Sequence, residues 1–305
     1  MSDWQLKTPV AFIIFNRPDT TERVFAEIAK ARPPKLLVVA DGPRDNRAGE
    51  AEKCAATRAI IDRVHWDCEV LTNYSDRNLG CKRRVSSGID WVFERVEEAI
   101  ILEDDCVPDP TFFRYCQELL DRYRYDHRIG LISGDNFQFG RRRNDDSYYF
   151  SKYVHIWGWA TWRDRWAGSY DVAMTKWPRI REEGWLADIV GNEREVVFWH
   201  KIFERVYRGE IDTWDYQWVF ANWVEGRSTV LPAINLITNI GFDANATHTT
   251  GDSELANLPS HALTFPLKHP VGVIRNMQAD AFSETKCFQI PLAKRIRNKL
   301  TGLLR

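Results

Sequence analysis

One stretch constrains the fold of this chain more than any other. Ala99-Ile100-Ile101-Leu102 runs directly into Glu103-Asp104-Asp105, and Pro108 follows. A continuous apolar run bounded by charge and proline reads as a strand buried in a parallel sheet. The acids then stand where the strand leaves the sheet, and open α/β sheets bind ligands outside the carboxyl ends of their strands. On an extended strand Glu103 and Asp105 point to one side and Asp104 to the other. Three adjacent anions repel one another, and a hard divalent cation such as Mg2+ or Mn2+ suits carboxylate oxygens. The plainer alternative is an acidic turn whose carboxylates face water.

The flanking sequence repeats the pattern. Residues 9–16 form an apolar run broken by Arg17-Pro18. A helix follows, capped by Thr20 or Thr21, with Val24, Phe25, Ile28 and Ala29 as its apolar stripe. Residues 35–43 form a second apolar run that closes on Asp41. Strand, helix and strand in this order make a βαβ unit and a parallel pair. Residues 50–63 predict a helix with Ala55, Ala59, Ile60 and Val64 inward, and residues 68–73 a third strand. Asp76 to Gly80 is a turn. A helix then runs from Lys82-Arg83-Arg84 to Arg95. Three cations at a helix start oppose its dipole, so they either face water or await an anion.

Further helices are expected over 111–125, 193–208 and 216–225, and strands over 129–136, 148–155 and 228–237. Arg141 to Asp146 reads as a charged loop tip, and 251–270 as irregular. The last stretch, 290–305, is basic and amphipathic, which suits either an anionic membrane surface or docking on the protein's own body.

Lys and Arg total 42 against 43 for Asp and Glu, so charge gives no reason to expect nucleic acid as a partner. The six cysteines are scattered and form no Cys-x-x-Cys pair, which suggests reduced thiols in a cytoplasmic protein. No secretory signal and no membrane-crossing run is visible. Ten of the 13 tryptophans lie between Trp157 and Trp223, dividing the chain into Trp-poor and Trp-rich halves.

The order of these features resembles the nucleotide-sugar glycosyltransferases with the GT-A fold, and within them N-acetylglucosaminyltransferase I and its bacterial relatives. Val39-Ala40-Asp41-Gly42 looks like the family's second strand, whose acid meets the nucleoside. Asn78-Leu79-Gly80 with the basic residues after it resembles its third segment. Ile101 to Asp105, then Pro108-Asp109 and Phe112-Phe113, resembles the metal motif. Ser133-Gly134-Asp135-Asn136 and Trp157-Gly158-Trp159 resemble acceptor-side segments. Trp214-Asp215 resembles the stretch that carries the base, although Gln217 departs from the pattern. Pro232, Asn239-Ile240-Gly241 and Thr247-His248 resemble the segment closing over the donor phosphates. The matches run from Val10 to His248.

The resemblance implies an α/β GT-A fold, a Rossmann-like mixed sheet flanked by helices, over residues 8–250. Residues 8–136 would bind the nucleotide-sugar, 137–250 the acceptor, and 251–305 would form an extension. It implies transfer from a nucleotide-diphosphate sugar, a UDP-sugar by preference, to a saccharide or lipid-linked acceptor, with inversion and with Mn2+ or Mg2+. Such an enzyme would work in the cytoplasm, with peripheral membrane contact through the tail, making a bacterial surface glycan.

In that scheme Asp105 is the direct metal ligand, as the last acid at the strand mouth. Glu103 and Asp104 meet the ribose or metal-bound waters, and His248 reaches the metal or diphosphate. Arg83 or Arg84 pairs with a phosphate, since guanidinium matches its geometry. Asn16, Arg17, Asp41, Asn78 and Gly80 line the nucleoside side. Asp215 is the candidate base, with Asp135 and Asp212 as alternatives. Each has a plainer role open: Asp41 as a turn cap, Asp215 as a helix cap, His248 as an exposed loop residue, the tryptophans as core. A sugar-phosphate nucleotidyltransferase is the rival enzyme, but Phe15-Asn16-Arg17-Pro18 supplies no glycine-rich loop. A non-catalytic carbohydrate-binding protein is the rival outside enzymes. No Gly-x-Gly-x-x-Gly follows the first strand, against an NAD dehydrogenase.

Overall fold

In a computed structural model, residues 4–242 and 254–288 of the 305 are described. The first half alternates strand and helix: β1 (Val10–Ile14), α1 (Pro18–Ala31), β2 (Lys35–Ala40), α2 (Glu50–Ala59), β3 (Glu69–Tyr74), α3 (Gly80–Phe93) and β4 (Glu98–Glu103). Then come β5 (Cys106–Pro108), α4 (Thr111–Tyr123), β6 (Ile129–Ser133), β7 (Tyr148–Ser151) and β8 (Gly158–Trp162). Short helices α5 (Arg163–Ala167), α6 (Trp177–Glu182) and α7 (Leu186–Val190) precede the longer α8 (Glu193–Tyr207) and α9 (Asp215–Val224). The chain returns through β9 (Ser228–Pro232), β10 (Ile237–Asn239) and α10 (Met277–Ser283).

Eight strands make one sheet in the order β3-β2-β1-β4-β8-β6-β9-β7. β1 runs parallel to β2 and β4, with Phe12 beside Val38 and Leu102. β8 is antiparallel to both β4 and β6, so β4 has a parallel neighbour on one side only. This is the Rossmann-like mixed α/β sheet flanked by helices that the sequence led us to expect. Strands from either side of residue 136 interleave in it.

Both faces are covered, which is why the strands read as unbroken apolar runs. Val10, Phe12 and Ile14 pack with Val24 and Ile28 of α1 and with Phe112 and Leu119 of α4. Ala11 and Ile13 point the other way, into a core of Val85 and Ile89 of α3 and a group of tryptophans. Alternation along β1 thus survives in three dimensions though not in hydropathy.

Several local expectations are corrected. α1 starts at Pro18, whose missing N–H costs nothing in a first turn, and no side chain caps it; Thr21 bonds the Arg17 carbonyl instead. In α2 the inward residues are Glu50, Cys54 and Thr57, whereas Ala55 and Ala59 face solvent. The Trp157-Gly158-Trp159 stretch runs into central strand β8, where Trp159 and Trp162 are buried. Trp159 lies 5.8 Å from Trp214 and 5.9 Å from Trp218, ring centre to ring centre.

Among the described residues no helix is long and apolar enough to cross a membrane. His248 and the 290–305 tail lie outside the described residues.

Candidate functional site

The strand order reverses between β1 and β4. From β1 the chain moves outward to β2 and β3, then jumps back to lay β4 on the other side of β1. Such a switch point opens a crevice at the carboxyl ends of the two strands. The loop after β1 and the acids after β4 meet there.

Arg17 reaches across this crevice. Its guanidinium lies 2.6 Å from Asp104 and 3.0 Å from Asp105. The Phe15 amide donates to the second oxygen of Asp104 at 3.0 Å, so Asp104 is fixed by both strand ends. Burial alone would lower the Arg17 pKa, but Asp104, Asp105 and Glu103 outweigh it and keep the guanidinium charged. The alternation expected of an extended strand is modified, because Arg17 draws Asp104 and Asp105 together after β4 ends at Glu103.

Arg17 also lowers Glu103, but it is outweighed there. Burial, then the charges of Asp105 and Asp104, push its carboxyl up to about 8, and Asp215 adds to the effect. Burial raises Asp104 to about 6 in spite of Arg17. Three acids stand against one paired guanidinium, and Glu103 answers that crowding by holding its proton.

A second layer closes over this edge. β10 pairs antiparallel with β5, setting Asn239 opposite Cys106. The Ile240 amide then donates to the Asp105 carbonyl at 2.8 Å. Glycine at the next position makes room for this ion pair: a Cβ at Gly241 would strike the Asp105 carboxylate and come within 3.0 Å of Arg17. Asp215 enters from α9 as the first residue of that helix, with Thr213 donating its hydroxyl and Tyr216 its amide to the carboxylate. Asp215, Asp212 and Glu103 all act on Cys81, whose thiol is pushed up by burial and by these anions. Asp212 abuts Gly80, at positive φ, where a Cβ would meet its carboxylate at 2.8 Å.

The other sequence candidates divide. Asp41 accepts the amides of Gly42, Leu79 and Gly80 and the side chain of Asn78, so its carboxylate and Asn78 together hold the turn that starts α3. Burial raises its pKa despite these donors. Arg84 is buried and donates to the Ala40 and Asn73 carbonyls at the ends of β2 and β3. A guanidinium anchored on those carbonyls has a structural task, which corrects its expected place on a phosphate; Arg83, one residue earlier, is exposed. Asn16 donates to Glu50 at 2.9 Å, and Glu50 is gripped by Arg44. Sequence reading missed this Asn16–Glu50–Arg44 knot because Glu50 looked like an ordinary helix start.

Asp135 is fully buried beyond the end of β6. It accepts the Trp157 amide at 3.1 Å, but its Oδ1 has no partner among the described residues. Burial pushes its carboxyl up to about 7. Around it Trp157 packs 4.9 Å from Phe137 and 5.5 Å from Phe242. Of the tryptophans in the 157–162 stretch, only Trp157 is half-buried and next to the crevice.

Among the described residues no three His, Cys, Asp or Glu side chains close on one point as a ready-made metal cage. Mg2+-type ions keep most of their waters and need only one or two carboxylates beside a substrate phosphate. Asp105, with Glu103 in reserve, fits that requirement, and the crowding of acids favours it. Arg17 is the competing cation.

No family model and no curated protein matches the chain. Among solved structures it is similar to a crystal structure of S. aureus TarS 1-349, at 9% identity and a TM-score of 0.39. The alignment covers 76% of this chain and 59% of that one, so the chain spans less than two thirds of that structure's length.

Proposed function

We propose that the chain is a glycosyltransferase that takes its sugar from a nucleotide diphosphate, with a UDP-sugar as first choice and a saccharide or lipid-linked saccharide as acceptor. The observation that carries this reading is the acidic end of β4 at the sheet's switch point, bound by Arg17, roofed by Gly241 and faced by Asp215. A carboxylate cluster with one guanidinium suits a ligand that brings both negative phosphate and its own cation.

In this reading Arg17 leaves its carboxylates to meet the diphosphate, and Asp105 holds the ion. A Mn2+ or Mg2+ ion there would supply Lewis-acid stabilisation of the departing diphosphate. Asn16 and Asp41 frame the nucleoside side. Asp215 takes the proton of the acceptor hydroxyl as the new bond forms on the face opposite the leaving group, giving inversion. Asp135 and Asp212 are the alternatives for that proton. The carbohydrate-binding reading rested on the tryptophans, and most of those rings are core.

Titration with UDP, with and without Mn2+, tests the reading. Metal-dependent binding that weakens at least ~10-fold in Asp105→Ala is expected. Asp215→Asn should keep UDP binding and lose roughly 10²–10⁴ in turnover of whichever nucleotide-sugar the native protein uses. UDP binding that ignores both metal and Asp105→Ala overturns the assignment.

A further inference from the structure

The loop that follows Asp135 carries Arg141-Arg142-Arg143, which sequence alone casts as a solvated tip. It forms one wall of a cavity of about 310 Å³. The floor is β7 with Tyr148 and Tyr149, and the far wall is α10. Some arginines of this molecule pair with acids, as Arg124 does with Glu98 and Arg181 with Glu204. Among the described residues none of Arg141, Arg142 and Arg143 makes an ion pair, although two aspartates follow close behind. The one carboxylate lining the cavity, Asp146, accepts the Asn144 amide at 2.6 Å instead.

The cavity is also held in shape. Arg141 lies over the Phe282 ring at 4.2 Å, and Arg142 donates to the Asp146 carbonyl at 3.0 Å. Gln138 ties the base of the loop to α10 through the Ala279 carbonyl and the Ser283 hydroxyl. The Asn276 amide bonds the Phe150 carbonyl of β7 at 2.8 Å. Tyr149 lines the cavity, with its hydroxyl buried beside the Gln138 side chain.

We propose that this cavity binds an oxyanionic group, phosphate or carboxylate, borne by the acceptor. Guanidiniums without an acid partner offer such a group paired N–H donors. Gln138 stands three residues beyond Asp135, at most ~10 Å of chain, so an acceptor seated here extends toward the crevice. The role as an acceptor site rests on the transferase reading; the anion site does not.

Binding of inorganic phosphate and of glucuronate, each titrated without divalent metal and without donor, tests it and separates the two sources. Saturable binding of at least one probe is expected. The double variant Arg141→Gln/Arg143→Gln should weaken it at least 10-fold, and Arg17→Gln should leave it unchanged. If Arg17→Gln does not fold, UDP added together with Mn2+ to the native protein should fail to displace the probe. No saturable binding of either probe, undiminished binding in the double variant, or loss with Arg17→Gln or with UDP and Mn2+ each overturns the proposal. Failure of metal-dependent UDP binding beside intact probe binding would instead strike the transferase reading and leave the anion site standing.

Discussion

Asp135 and His155 are buried within the same neighbourhood and titrate in opposite senses. Burial pushes Asp135 up to about 7 and His155 down to about 3, and the His155 Nε2 has no partner among the described residues. The two rings of Phe137 and His155 sit 4.5 Å apart, so the imidazole is held neutral in an aromatic setting. For Asp135 the folded form binds the proton more tightly than the unfolded chain. Its contribution is therefore full below pH 4 and is lost as pH rises through 7. For His155 the unfolded chain binds the proton more tightly. Its contribution is full above about 6.5 and is lost as pH falls toward 3. Between pH 4 and 6.5 the slopes oppose, which hides both in the native protein. Asp135→Asn should unmask them: relative to native, its stability should improve by at least ~1 kcal/mol between pH 4 and pH 8. Urea unfolding at both pH values checks this, and a constant difference would show that Asp135 is ionised throughout.

At the scale of elements, the crevice depends on a close approach just beyond the β10–β5 ladder, between Gly241 and Asp105, that a single atom can disturb. Gly241 lies against the Asp105 carboxylate and Arg17. Gly241→Ala must move either the backbone after β10 or the ion pair beneath it. The β10–β5 ladder itself, from Ile237 to Asn239, is not touched by the change. The variant should therefore fold with a melting temperature within a few degrees of native, yet bind UDP at least ~10-fold more weakly. A titration beside a thermal melt decides it, and unchanged UDP affinity would remove the β10 segment from the donor site.

The same elements show what the sequence could and could not disclose. β1, β2 and β4 were legible because each is a short apolar run that must be covered on both faces, and a polar residue at or just past its end, Asn16, Asp41 or Glu103, marks the strand mouth. α1, α3 and α4 were legible by their apolar stripes. β8 was not, because a strand of tryptophans and glycine has no two-residue alternation once both faces are core. α5, α6 and α7 have five or six residues each, too few for a 3.6-residue period to register. In the candidate site, the acidic cluster was visible as three letters in a row. The Arg17 bridge, the Gly241 contact and the Asn16–Glu50–Arg44 knot were not, since each joins residues that only the fold brings together.

At the scale of the whole molecule, the segment 254–288 acts as a strap that ties the crevice side to the far edge of the sheet. It starts near β10, where the Asn257 and His261 amides bond the carbonyls of Asn239 and Asn235. It crosses α4 through Thr111 and reaches β7 through paired bonds between Ser147 and Lys268. There it covers an edge strand whose free backbone groups would otherwise invite pairing with another chain. Arg275 bridges Phe150, and Asp280 accepts the Ser151 hydroxyl at 2.5 Å while pairing with Arg275 at 3.1 Å. Phe288 finally stacks on Tyr153 and packs against Trp199 of α8. Asp280 is thus the clasp, and it is nearly buried. Asp280→Ala leaves Ser151 and Arg275 without their acceptor, a loss of about 1–3 kcal/mol. The strap adds no strand to the sheet, so the loss should appear as local opening before it appears as global unfolding. Trypsin under native conditions should cut at Arg275 and Lys286 about ten times faster in the variant, with the urea midpoint of the remaining sheet little changed. Equal cleavage rates in variant and native protein would mean that the edge of β7 is held by other contacts and that Asp280 is not the clasp.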